Sequence, residues 1–329
     1  MMQLALTAVA ILVPALLGPV LVRRGAAVMA RAPQAASIAL LGILAIWLAA
    51  SASLIVALAG AVTGPQVLPA PFADVCQRCL AAATPFASSP GSTLPLPAAV
   101  PALLPLLGLL TLTVAGTVHL AARRTSTRSL GLALVATGRR ARVGGREVLV
   151  IPARDPQAFT LPRRHSGIVI SQGLLDVLDN DELTAVIEHE HAHLRLHHHE
   201  IMALLQAIAQ PLRMVPLVRA VHDAIPHLVE IAADDLSRQR SSTSALASAL
   251  LILGTTAPER ARADVLLHAT GRPGSGPDRI RHLVAPAGIR PAVAPALLLM
   301  TLPAVLAGLA LLASWPYATL LLTGCTVPA

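Results

Sequence analysis

Charged residues are scarce in this sequence. They make up 13% of its 329 residues, and lysine is absent, so that all 25 basic residues are arginine. A typical soluble domain carries about 25% charged residues. Apolar residues make up 55% of the chain, and the mean hydropathy is +0.68. This composition argues against an ordinary soluble globular protein and favours a membrane protein.

Aromatic residues are also rare, at 2% of the chain, and they do not interleave with a basic patch. Such a patch would be expected of a protein that binds nucleic acid. We therefore interpret the formal net charge of +8 mainly as a signal of membrane topology, with some attraction to anionic lipid. Membrane lipids are the expected partner, and direct binding of nucleic acid is not predicted.

Four apolar segments are long enough to cross a bilayer, which takes about 20 residues of helix. No acidic residue and no arginine lies in their interior. The segments are Leu4 to Val22, Ala36 to Val62, Ala98 to Ala121, and Ala294 to Trp315. The first has no basic residue before it and no convincing cleavage site after it, so we interpret it as an uncleaved anchor.

The distribution of arginine orients these segments. Arg23, Arg24 and Arg31 lie between the first two, whereas Arg78 alone lies between the second and the third. Residues 123 to 290 hold 21 of the 25 arginines and 16 of the 17 acidic residues. By the positive-inside rule, this charged region is cytoplasmic.

These signals predict an α-helical, multi-pass protein of the plasma membrane with four transmembrane helices. The cytoplasmic part is expected to be mainly helical with a small β-sheet. The predicted boundaries are residues 1–122 for three transmembrane helices with an outer loop at 63–97, residues 123–290 for the cytoplasmic domain, and residues 291–329 for the fourth transmembrane helix and a short outer tail.

Cysteine is rare as well, with three in the chain. Cys76 and Cys79 form a Cys-x-x-Cys pair in the predicted outer loop. Because that side of the membrane is oxidising, a disulfide that stiffens the loop is the main interpretation. A redox-sensing switch is the alternative.

One stretch of the charged region carries a recognisable metal motif. Apolar residues among the charges of residues 181 to 200 fit a partly buried helix, and Asp179 followed by Glu182 resembles a capping box. In this stretch His189, Glu190 and His193 spell His-Glu-x-x-His. Residues four apart share a helical face, so both histidines can bind one Zn²⁺ while Glu190 acts as general base.

A catalytic zinc usually has three protein ligands, and two candidates exist for the third. Glu230 begins a second helical segment in which Asp234, one turn later, could accept the spare N–H of a ligating histidine. His199 lies where a metzincin places its third histidine, but that pattern needs a glycine at position 196, which is Leu196 here. We therefore favour Glu230, which makes the site gluzincin-like.

Other parts of the charged region are less specific. Glu147 to Ile151 and Gly167 to Ser171 are predicted strands, whose sheet could hold an extended substrate by strand addition. Residues 201 to 218 are predicted to form a helix against the domain or at the membrane surface, with a fifth span or a re-entrant pair as alternatives. The remaining histidines at 191 and 197 to 199 are interpreted as surface or supporting residues.

Several of these segments together resemble the BlaR/MecR family of membrane zinc peptidases and, more distantly, the HtpX type. The resemblance covers about residues 147 to 240, through Ala158-Phe159, the run from Gly167 to Leu175, the His-Glu-x-x-His helix, and Glu230 to Asp234. It implies a zinc endopeptidase with His189, His193 and Glu230 as ligands. It also implies a BlaI/MecI-type transcriptional repressor as substrate.

The sequence leaves other features of function open. Only twelve residues follow Tyr317, so the outer penicillin-binding domain of β-lactam sensors is not expected, nor is direct acylation by β-lactams. His227, one turn before Glu230, is a candidate oxyanion donor. Alternative functions are a protease that removes damaged membrane proteins and a signalling scaffold with a structural zinc site. A homo-oligomer is compatible with the sequence.

Overall fold

The computed structural model describes residues 2–63, 99–162 and 166–256, with five isolated residues between 301 and 308. Most of the predicted outer loop, including Cys76 and Cys79, lies outside the described residues. So do residues 257–290 and nearly all of the fourth predicted span.

The described chain consists of helices with one small sheet. The helices are α1 (Met2–Met29), α2 (Pro33–Thr63), α3 (Ala99–Thr137), α4 (Gln172–Val177), α5 (Asn180–Arg195), α6 (His198–Ala209), α7 (Pro216–Ser237) and α8 (Thr243–Thr256). The strands are β1 (Arg139–Val143), β2 (Arg146–Ile151), β3 (Ala158–Thr160) and β4 (Ile168–Ser171).

Within the described residues, two helices are long and apolar enough to cross a membrane. The candidate spans are Ile11–Met29 in α1 and Pro33–Ser53 in α2. Buried core helices and signal sequences can share these properties, but Leu12 and Leu16 are 57% and 65% exposed, as expected of side chains that face lipid. The third predicted span is helical within α3. Four transmembrane helices and their orientation remain predictions.

The largest apolar cluster joins the candidate membrane helices to α7, the helix that carries Glu230. Leu40, Leu44 and Trp47 of α2 pack in one cluster with residues of α1 and α6 and with about the first four turns of α7. The buried residues of α7 in this cluster are Leu217, Val218, Val221, Ile225, Leu228 and Val229. The helix that ends in the metal site therefore begins among the membrane helices.

Residues 201 to 218 do not form a single helix as predicted from the sequence. The chain turns between the end of α6 and Val215, and α7 starts with Pro216 at its first position, where a missing N–H costs nothing. Leu217 then packs against Gly18, inside the first candidate span. The two helices thus form a hairpin, and the residues next to its turn pack against the first candidate span.

A methyl group at Gly18 is expected to destabilise this packing. An added Cβ would lie 2.5 Å from Leu217 Cδ1 and 3.2 Å from Leu217 Cα, so the Leu217 side chain would have to change its conformation and its backbone would have to give way slightly. We expect Gly18→Ala to lower the free energy of unfolding by about 1–2 kcal/mol. Gly42→Ala in α2 is the matched control, because nothing lies within 4 Å of its added Cβ. Equal thermal stability of the two variants would contradict this description.

The sheet has the strand order β1-β2-β4-β3, with β2 parallel to β4 and antiparallel pairs on either side. The two predicted strands are confirmed as β2 and β4. The edge strands were not predicted from the sequence. β1 reads Arg-Arg-Ala-Arg-Val and is largely exposed, and β3 has three residues, so neither carries an apolar alternation long enough to recognise.

Candidate metal centre

Helix α5 is held at its start by a full capping box. Asp179 Oδ1 accepts the Glu182 N–H at 2.8 Å, and Glu182 Oε2 accepts the Asp179 N–H at 3.1 Å. This confirms the capping box predicted from the sequence. Leu183, Val186 and Ile187 then pack against the sheet and α8, which fixes the rotation of the helix and therefore the direction of its two histidines.

The His189 and His193 rings meet on the other side of α5. Their Nε2 atoms lie 3.1 Å apart, and each residue is 8% exposed. The helical spacing of four residues brings the two rings together. Buried nitrogen atoms that face one another in this way are suited to share a cation.

Glu230 completes the group from α7. Its Oε2 atom lies 3.5 Å from His189 Nε2, and its Oε1 atom lies 3.6 Å from His193 Nε2. One ligand atom from each of the three residues lies within 4.8 Å of the others. Ligands of one tetrahedral Zn²⁺ lie roughly 3.3–3.6 Å apart. Two imidazoles and one carboxylate at these separations fit a zinc ion.

Asp234 lies one turn after Glu230 and contacts the other side of His189. Its Oδ1 atom is 2.9 Å from His189 Nδ1, and the Asp234 side chain is 1% exposed. A carboxylate at Nδ1 keeps the hydrogen on that nitrogen and leaves Nε2 free to bind a metal. The Ser237 hydroxyl donates to the Ala185 carbonyl at 3.0 Å and holds α7 against α5.

Burial keeps two neighbouring imidazoles neutral. Desolvation lowers the pKa of His193 well below its ordinary 6.5, against the opposing effect of the Glu230 carboxylate. Desolvation also lowers the pKa of His198 to about 4. A neutral imidazole is the form that binds metal, so the environment of His193 favours the ligating state.

The stability of the metal-free protein is expected to fall as the pH is lowered from about 6.5 to about 4. In this range the unfolded chain binds a proton at His198, whereas the folded chain, with a His198 pKa of about 4, does not. Protonation of the unfolded chain therefore lowers the free energy of unfolding, and the full contribution of His198 to this loss is roughly 3 kcal/mol. Thermal unfolding across this range should show a shallower pH dependence in His198→Asn. The same dependence in both proteins would count against the burial of His198.

The remaining predicted site residues are placed as follows. Glu190 follows His189 and is half-buried. His227 is half-buried on α7, and no hydrogen bond or ion pair of its ring is found within the described residues. His199 Nε2 lies 3.1 Å from Thr160 Oγ1 of β3, and His199 does not belong to the metal-binding group. The structure therefore brings Glu230, and not His199, to the two histidines.

The helix predicted for residues 181 to 200 is wrong in its second part. α5 ends at Arg195, and His197 has a left-handed backbone with a φ of 56°. Because of this turn, α6 does not continue along the axis of α5, and its Ile201 and Leu205 side chains are buried against the candidate membrane helices. It also brings His198 into contact with the candidate metal ligand His193, a contact that regular helical spacing would not produce.

Two buried histidines and a glutamate on crossing helices, with a second glutamate inside His-Glu-x-x-His, are the donor set of a zinc metallopeptidase. This is the class of protein that the site indicates.

Comparison with known proteins agrees with that class. Residues 122–272 match Peptidase family M48. Three similar proteins are each named a protease HtpX homolog. The protein from Salinibacter ruber is 41% identical over 59 residues, which is 17% of this chain and 21% of the relative. That from Aquifex aeolicus is 34% identical over 59 residues, and that from Campylobacter curvus is 36% identical over 58, each covering 17% of this chain and 20% of the relative.

The matched segments span about a fifth of the length of these relatives. No solved structure matches the chain significantly. The comparisons support a membrane zinc metallopeptidase of the M48 type, and they do not distinguish a BlaR/MecR-like member.

Proposed function

We propose that this chain is a membrane-embedded, zinc-dependent endopeptidase that cleaves a protein substrate on the cytoplasmic side of the plasma membrane. The observation that carries the proposal is the buried group of His189, His193 and Glu230 beside Glu190. The match to Peptidase family M48 supports it. The arginine distribution supports the cytoplasmic orientation.

In this proposal each residue of the site has one role. His189, His193 and Glu230 would hold the zinc ion, which when bound lowers the pKa of water to about 7 and polarises a carbonyl group. Glu190 would take a proton from the attacking water and give it to the leaving amine. Asp234 would orient the His189 ring. His227 stays a candidate oxyanion donor, because it lies on α7 one turn before Glu230.

Strand β3 offers a place for an extended substrate. It is the last strand of the sheet, and within the described residues no strand pairs with its outer edge. The contact of His199 with Thr160 ties this strand to the segment that follows the metal helix. A peptide added to the edge by main-chain hydrogen bonds would lie beside the site, as β-strand addition requires.

The substrate that we propose is a cytoplasmic transcriptional repressor of the BlaI/MecI type. The resemblance of residues 147 to 240 to the BlaR/MecR family supports this choice. Cleavage of the repressor would relieve repression, and the chain would then transmit a signal from the membrane to transcription.

A second candidate is a protease that removes damaged membrane proteins. One observation favours it. The metal group is close to the candidate membrane helices, since His198 contacts both His193 and Gln34 at the start of α2. A site this close to the membrane helices would be well placed to cleave substrates that are themselves bound to the membrane.

The newly formed protein N-termini of cells that express the wild-type chain or Glu190→Gln would test the proposal. One dominant Glu190-dependent cut in a DNA-binding repressor is the result we expect. Many such cuts in membrane proteins would favour the second candidate. Identical N-termini in both strains, with zinc bound to both purified proteins, would contradict an enzymatic function and leave a scaffold with structural zinc.

A further inference from the structure

A short series of hydrogen bonds connects the metal centre with the first turn of α2. His198 Nδ1 lies 2.9 Å from His193 Nδ1, and His198 Nε2 lies 3.1 Å from Gln34 Oε1. The Gln34 amide nitrogen donates to the Leu196 carbonyl at 3.0 Å. His198 is 2% exposed, so its ring has these partners in place of water. Gln34 and His198 are 164 positions apart in the chain, which makes this a tertiary contact.

The direction of every hydrogen bond in this series follows from its last member. A backbone carbonyl can only accept, so the Gln34 nitrogen faces Leu196 and the Gln34 oxygen faces His198. That oxygen in turn can only accept, which places the hydrogen of His198 on Nε2. In a neutral ring the remaining nitrogen, Nδ1 of His198, accepts the hydrogen on His193 Nδ1. His193 Nε2 is then left without a hydrogen and faces His189 and Glu230.

We propose that Gln34 and His198 are positioning residues, which hold the His193 ring in the tautomer and orientation that present Nε2 to the metal. This inference rests on the proposed function, because it takes His193 as a zinc ligand. The geometry resembles that of Asp234 at His189, where an acceptor at Nδ1 also leaves Nε2 free. The difference is the source of the acceptor. Asp234 belongs to α7, whereas the series at His193 depends on Gln34 of α2, a candidate membrane span.

The two ligating histidines are therefore oriented by different parts of the fold. A movement of the start of α2 would shift Gln34, and the shift would reach His193 through a single intervening ring. The metal site is expected to respond to the position of the start of α2 through this series of hydrogen bonds, in addition to the packing of α7 against the same helix.

The experiment measures metal binding in the full-length protein in lipid nanodiscs. The zinc dissociation constant is determined by competition with a chelator, and the visible absorption spectrum of the Co²⁺-loaded protein reports ligand geometry. His198→Leu removes the acceptor at His193, whereas His198→Asn places an amide oxygen close to the position of Nδ1. Gln34→Leu removes both the acceptor for His198 Nε2 and the donor to the Leu196 carbonyl. Ser37→Ala is the control, a buried residue of the same helix whose hydroxyl donates to the Pro33 carbonyl at 2.9 Å.

We expect His198→Leu and Gln34→Leu to weaken zinc binding by about 10–100-fold and to change the Co²⁺ spectrum. His198→Asn should retain most of the affinity, and Ser37→Ala should match the wild type. Wild-type affinity in a folded His198→Leu protein would overturn the proposal. A loss in His198→Asn as large as in His198→Leu would overturn it too, because packing alone would then explain the effect. Gln34→Leu behaving like Ser37→Ala would overturn the link to α2. A wild-type protein that binds no zinc would instead contradict the proposed function.

Discussion

Glu190→Gln is expected to abolish peptide hydrolysis while the protein continues to bind zinc. The metal-binding group consists of His189, His193 and Glu230, so an amide at position 190 leaves every proposed ligand in place. Glutamine cannot take up the proton of the attacking water, and general acid–base catalysis of this kind contributes about 10²–10⁴-fold. Cleavage of fluorescently labelled casein by the purified protein, with zinc content measured in the same sample, gives both quantities.

The control for this variant is Glu200→Gln, which makes the same chemical change at an exposed position of α6. It should cleave at the wild-type rate. If Glu190→Gln retained the wild-type rate, Glu190 would not be the general base. If it lost zinc together with activity, the variant would show that Glu190 supports the metal site.

Glu230→Gln is expected to weaken zinc binding far more than Asp234→Asn. Glu230 supplies a ligand atom to the metal-binding group, whereas Asp234 contacts His189 Nδ1 on the side away from it. Loss of an outer partner typically costs about 10–100-fold in metal affinity, and loss of one of three ligands should exceed that range. Chelator competition with each purified variant measures the difference.

His199→Leu serves as the matched test of the alternative third ligand. Because His199 contacts Thr160 of β3, its loss should leave the zinc dissociation constant unchanged. A larger loss in His199→Leu than in Glu230→Gln would mean that the metal is held differently from the geometry described above.

Much of the site could be predicted from the sequence because its signals are local. The histidines at positions 189 and 193 share a helical face by spacing alone, and the capping box at Asp179 marks where that helix begins. The last four residues of β2 and all four residues of β4 are mainly apolar and buried, and such short runs are recognisable without knowledge of their partners. Glu230 and Asp234 could also be predicted from the sequence, since a spacing of one helical turn is typical of a ligand and the carboxylate that supports another ligand.

The features that could not be predicted depend on tertiary contacts. The turn at His197 follows from the burial of α6 against the membrane helices, and nothing in three consecutive histidines indicates a left-handed backbone. The contact of His198 with His193 depends on that turn. Gln34 is an ordinary polar residue at the start of an apolar segment, and its role is visible only once α2 is placed beside the end of α5.

The hairpin of α6 and α7 cannot be recognised from the sequence for a related reason. The sequence favours a helix against the domain or at the membrane surface and leaves a fifth span or a re-entrant pair as alternatives, because composition alone does not say what covers the apolar residues. The structure shows two helices joined by a turn, with Leu217 packed against Gly18 of α1. The same packing places Glu230 on the side of the membrane helices where His189 lies.

The most direct test of the account is the position of zinc in the purified full-length protein, located by anomalous diffraction at the zinc absorption edge. The account predicts one ion bound by the Nε2 atoms of His189 and His193 and by a carboxylate oxygen of Glu230, at about 2.0–2.2 Å. Zinc held instead by His197 to His199, or no ion between α5 and α7, would contradict it.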